Sequence, residues 1–162
     1  MASCNLLVTC RGERNKLVEL SSKSGLSVRE IVLQPDIVDP WHSVQLITGH
    51  FAVCHGSMLS DLQCVCMVDS DGEVTRSYSG LERSDNSKLF CPSHLAVDTD
   101  RGIVFVADHT NNRVICLSPL FEHLFDYEVS MPWRLYFQNT TGCLYVGQWF
   151  GKVTVIHTRL EI

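Results

Sequence analysis

Apolar and polar residues alternate along most of this chain in short runs, and the runs are separated by polar stretches rich in Gly, Asp, Asn and Ser. A period of two in runs of that kind predicts β-strands. The stretch 92–118 is the clearest case. Leu95 and Val97 alternate with Ala96 and Asp98, Gly102 restarts an alternation through Ile103 to Ala107, and Val114 and Cys116 oppose Ile115 and Leu117. The connectors Asp98 to Gly102 and Asp108 to Asn112 consist of residues that bond their own backbone or tolerate positive φ, so they predict hairpin turns. Three strands and two turns make a meander.

The meander repeats. Pro40-Trp-His-Ser-Val-Gln-Leu, Pro92-Ser-His-Leu-Ala-Val and Pro132-Trp-Arg-Leu-Tyr-Phe each open a unit, and the next strand of each follows Gly49, Gly102 or Gly142, spaced 53 and 40 residues apart. Third strands begin near Gln63, Asn112 and Gly151, while CNLLVTC, NKLVEL and SVREIVLQ read as the last three strands of an earlier unit without its opening strand. Periods of this length mark repeat architectures, and four strands per repeat mark propeller blades. The expectation is an all-β chain: one partial β-propeller with units at about 3–34, 40–79, 91–128 and 132–162, the stretch 80–90 being a loop between blades. About three and a half blades are too few to close, because propellers close with roughly four to eight. Further blades of a longer product, or another chain, are expected to complete the ring.

In Pro92, Ala96 to Asp98, Val106 to Asp108, Asn111, Arg113 and Val114 the chain resembles the NHL repeat family. Those repeats read as a proline, an apolar strand, a Tyr-Val-Ala-Asp step and then Asn-x-Arg-Ile or Asn-x-Arg-Val. The resemblance implies antiparallel four-stranded blades in a six-bladed ring, of which this chain is about half. It is similar to the C-terminal propeller of tripartite-motif NHL proteins, which implies a partner-recognition or substrate-recognition module within a ubiquitin-ligase-like protein. Some members of the family bind RNA through a basic propeller face, and an NHL-like group of peptide-amidating lyases binds metal in the central channel. The Asp108, Asn111, Arg113 set carries the resemblance, and its chemistry is structural: an Asp–Arg hydrogen bond across a bend fixes the turn. The fourth unit departs from it at Gln148-Trp-Phe-Gly-Lys152, and the second at His55 to Gln63.

Composition narrows the classes. With 162 residues, 45% hydrophobic and 19% charged, the chain can bury a core and falls outside the disordered class. No run approaches the length of a membrane span and the N-terminus lacks a signal pattern, so the expectation is a cytoplasmic protein without a membrane partner. A net charge of −5 gives little footprint for phosphate. The nearest approach to a basic cluster is Arg11, Arg14 and Lys16, interrupted by Glu13, and these are the candidates should RNA be the ligand.

Eight cysteines, mostly within predicted strands, read as buried free thiols. Cys64-Val-Cys66 is the one close pair, and no Cys-x-x-Cys knuckle or His-x-x-x-His partner accompanies it, so neither metal nor cofactor is expected. The histidines are scattered, which argues against catalysis. His42 and His94 stand two residues after a blade-opening proline, where Arg134 stands in the last unit, and they are channel candidates for an anion or a metal. Trp41, Trp133, Arg134, Trp149 and Phe150 fall at strand starts or bends, where aromatic and Arg anchors of a protein partner are expected. Trp41 and Trp133 fit equally well as wedges between blades.

Overall fold

A computed structural model describes residues 5–56, 62–80 and 88–158. Most of the loop expected at 80–90, the N-terminal Cys4, the middle of the bend after His55 and the last four residues lie outside the described residues. Among the described residues there is no helix, and fourteen strands make four antiparallel sheets. The first sheet holds β1 (Leu6–Cys10), β2 (Lys16–Leu20) and β3 (Ser27–Val32), and the second β4 (His42–Gln45), β5 (Phe51–His55), β6 (Cys64–Val68) and β7 (Val74–Tyr78). The third holds β8 (Pro92–Asp98), β9 (Ile103–Asp108), β10 (Arg113–Leu117) and β11 (His123–Glu128), and the fourth β12 (Pro132–Gln138), β13 (Cys143–Gln148) and β14 (Val153–His157). This is a partial β-propeller.

The core lies between sheets. One cluster joins Leu17 and Ile31 of the first sheet to Phe51, Val53 and Val68 of the second. Another joins Ala52, Val65 and Met67 to Leu95, Val104 and Ile115 of the third, and the last joins Phe105, Ala107 and Cys116 to Leu135, Phe137 and Val146 of the fourth. A sheet with a neighbour on each face must be apolar on both. β9 is therefore buried at every position, and in β8 Ala96 and Asp98 are as buried as Leu95. The expected in-and-out alternation of that strand gives way to two-sided burial. At the outer edge β11 alternates, half-buried and exposed in turn. The outward faces of the first and last sheets leave Leu6, Val8, Val28 and Val32, and Tyr136, Val153 and Val155, exposed.

Two repeated details identify strand positions. The register slips by one residue near the end of the β2–β3, β6–β7 and β10–β11 pairings alike. In addition, Leu33 N–H donates to Asn15 O at 2.9 Å as Val129 N–H donates to Asn112 O at 3.0 Å. By this correspondence β1, β2 and β3 take the second, third and outermost positions of a blade. The fourth sheet holds the inner three, since β12 shares with β8 a bulge just after the opening proline.

The residue before each opening proline, Asp39, Cys91 and Met131, has positive φ (46°, 66° and 43°). That is an uncommon region for a side chain with a Cβ. It lets the chain turn sharply from one blade's outer edge into the next blade's inner strand. Gly72 marks a close approach between the first two sheets: a Cβ there would lie 1.9 Å from Val32 O.

Candidate functional site

Each bend between a blade's second and third strands returns to the end where inner strands begin, so one end of the propeller collects both. In the third sheet the bend is closed by Asp108. Its fully buried carboxylate accepts from Arg113 Nε at 2.7 Å, Asn111 Nδ2 at 2.8 Å and Phe90 N–H at 2.8 Å. Burial pushes this carboxyl above its ordinary range, and those three hydrogen bonds pull it back. Arg113 also pairs with Asp126 at 3.1 Å. The diagnostic repeat residues thus form a hydrogen-bonded network around one buried carboxylate.

The aromatic candidates occupy the same end. Trp133 and Trp149 meet edge to face at 4.7 Å between ring centroids, and His109 contacts both, at 5.2 and 5.8 Å. The Arg134 guanidinium lies over Trp133 at 4.6 Å. Phe150 shares the turn with Trp149, and the two are 81% and 53% exposed. Trp41 stands apart, donating Nε1–H to Gly56 O at 2.9 Å beneath the Arg11 guanidinium at 4.1 Å. It therefore packs across the boundary between the first two sheets. His109, the hub of the Trp cluster, carried no motif in the sequence. Its place opposite Trp133 follows only from the bend of one blade reaching the opening strand of the next.

His42, His94 and Arg134 come together on the inner strands. The two imidazoles stack at 3.6 Å, and each Nδ1 accepts a backbone N–H from the next blade: Leu95 to His42, Leu135 to His94, both at 3.3 Å. Burial first, then the Arg134 charge, lowers His42 to about 4. Burial, His42 and Arg134 lower His94 to about 3. Both rings are neutral acceptors that hold neighbouring blades together.

The basic candidates are dispersed. Arg11 Nε donates to Pro40 O at 2.8 Å, Lys16 pairs with Glu30 at 2.8 Å, and Arg14 lines an open cleft with Glu13, Asn15 and Gln34.

The second sheet assembles a group that sequence spacing did not disclose. His55 pairs directly across the ladder with Cys64, and Cys66 shares the face of Cys64 two residues on. The ring Nε2 of His55 lies 3.2 Å from Cys66 Sγ, and the two sulfurs are 3.6 Å apart. The Cys66 hydrogen bond and then His55 pull Cys64 below the ordinary thiol range against its burial, whereas Cys66 is pushed upward by its neighbour and by burial. Buried His55 keeps its Nδ1 without a partner among the described residues, at a cost of about 1–3 kcal/mol if nothing else satisfies it. The signal was the hairpin register, since a ligand pair can be completed across a ladder as well as along the chain. Cys10, Cys54, Cys64, Cys66, Cys91, Cys116 and Cys143 are all unbridged.

No known protein family and no curated protein matches the sequence. Solved structures do. Kuenenia stuttgartiensis hydrazine synthase aligns at 13% identity and TM-score 0.70 over 96% of this chain and 55% of that one. A Bacteroides caccae protein of unknown function aligns at 15% and 0.72 over 98% and 61%. Staphylococcus aureus virginiamycin B lyase aligns at 14% and 0.54 over 98% and 57%. The chain spans little more than half the length of these structures. At such identities the likeness supports the propeller fold, as the four sheets do. Among the described residues no helix is long and apolar enough to cross a membrane.

Proposed function

We propose that this chain is part of an NHL-type β-propeller that serves as a protein-interaction module, the recognition end of a tripartite-motif-like ubiquitin ligase or a protein built like one. The supporting observation is the exposure of Trp149 and Phe150 in one turn, on a base of Trp133, His109 and Arg134. Large aromatics held rigidly by neighbours and open to solvent are the side chains that anchor protein partners. The apolar outward faces of the first and last sheets are where further blades or a second chain would continue the ring.

The test is quantitative capture of partners by the wild-type chain against a Trp149→Ala, Phe150→Ala double variant. Partners of this face lose at least about tenfold in affinity, the effect of a modest hot spot. If every captured protein binds both chains equally, the face is wrong. The RNA reading rests on Arg11, Arg14 and Lys16, and Arg11 and Lys16 are already engaged within the fold. The channel-enzyme reading rests on His42 and His94, both committed through Nδ1 to backbone amides.

A further inference from the structure

The geometry assigns a transition-metal site, matched to Zn2+, to His55, Cys64 and Cys66 in the second blade. The ligand atoms of all three lie within 4.8 Å of one another. Two thiolates bound to one tetrahedral zinc at about 2.3 Å sit roughly 3.8 Å apart, and an imidazole nitrogen at about 2.0 Å sits roughly 3.5 Å from each. The observed separations, 3.6 Å between the sulfurs and 3.2 Å from His55 to Cys66, need only small adjustments.

The frame is stiff. Gly56, immediately after His55, has a φ of +111°, and a Cβ there would lie 2.6 Å from Leu62 O, so the ends of β5 and β6 approach closely beside the site. Its N–H donates to Val38 O and its carbonyl accepts from Trp41, which ties the end of β5 to the entry of its own blade. Such a frame holds ligands at fixed separation, as a metal site requires.

Charge and softness select the occupant. Two thiolates and a neutral imidazole balance one divalent ion, and any proton a thiol still holds, such as the one Cys66 donates to Cys64, is released to solvent on binding. Sulfur and imidazole donors favour Zn2+ over Ca2+ or Mg2+. With three protein ligands the fourth position is left to water or an added donor, and the half-buried Cys64 gives the route of entry.

The experiment uses the full chain, reduced and titrated anaerobically with Co2+, then with Zn2+. Saturation is expected at one equivalent, with a thiolate charge-transfer band that Zn2+ abolishes. Cys64→Ser and Cys66→Ser each weaken Co2+ binding by at least about 100-fold, the upper end of what loss of a mere outer-shell partner costs. Cys143→Ser, which removes the thiol 3.3 Å from His157, leaves the band intact. Because core variants can fail to fold, alkylation of the wild-type chain is mapped by mass spectrometry with and without Zn2+. Protection confined to Cys64 and Cys66 supports the site. Absence of the charge-transfer band in the wild-type chain, or protection elsewhere, overturns it. Neither readout involves a protein partner, so the result is independent of the interaction face.

Discussion

The second and third blades turn the same corner with different chemistry. By ladder register, His55 of the second blade stands where Asp108 stands in the third, and Cys64 stands where Arg113 does. One corner is closed by a buried carboxylate and a guanidinium. The other brings an imidazole to two sulfurs. What the corners share is backbone: a positive-φ residue before the opening proline, and an N–H from the first bend residue returning to the entry strand, Gly56 to Val38 and His109 to Cys91. The repeat is therefore defined by main-chain geometry, and the side chains at its bend are free to diverge once they satisfy one another.

The sharpest way to break the comparison is Asp108→Ala. Removing this buried carboxylate costs about 3–5 kcal/mol, because Phe90 N–H and Asn111 lose a buried acceptor and Arg113 loses its shortest ion pair while keeping Asp126. Cys64→Ser in the metal-free chain costs under about 1.5 kcal/mol, since serine keeps a donor for Tyr78 O. Urea titrations of the two variants should differ accordingly, and equal losses would mean that the corners are held alike.

Acid comes next, acting on the imidazole stack that spans both blades. His42 and His94 have folded pKa values of about 4 and 3, below the unfolded value near 6.5, so the unfolded chain binds protons first as pH falls. Stability is complete above about pH 6.5 and declines below it, by roughly 2 kcal/mol per imidazole at pH 5. Denaturation midpoints measured from pH 7 to 5 check this, and His94→Gln should flatten the slope by about half.

Zinc then separates the two corners. At a free concentration a hundred times the dissociation constant it adds about 2.7 kcal/mol to the wild-type chain and to Asp108→Ala, and no more than about 0.4 kcal/mol to Cys64→Ser. The smallest effect falls outside both corners: Phe150→Ser, at an exposed turn, changes stability by less than about 0.5 kcal/mol, and a melting curve that shifts further shows the ring packed inward.

Much of the fold was legible in the sequence. The prolines and the glycines that restart each strand mark the repeating units, and the period of two in short runs gives the all-β class. The Asp108, Asn111 and Arg113 network was legible as turn chemistry because its members are near one another in sequence. Two features were not. The two-sided burial of β8 and β9 depends on neighbouring sheets, which no period-two pattern within one strand encodes. The His55, Cys64 and Cys66 group depends on the pairing register of β5 with β6, where a search for a fixed spacing along the chain finds nothing.

The imidazole stack also decides how the array comes apart. From the second sheet to the third, and from the third to the fourth, the same bond recurs: a ring nitrogen of one blade receives the amide of the next. Between the first and second sheets the inner edge has instead a Thr9–Ser43 hydroxyl contact and the Arg11 bond to Pro40. Nearest-neighbour coupling of that kind makes the last three sheets one cooperative unit and the first a less tightly joined neighbour. Amide hydrogens of β2 are therefore expected to exchange through local opening and those of β9 only with the whole array, which native-state hydrogen exchange would check.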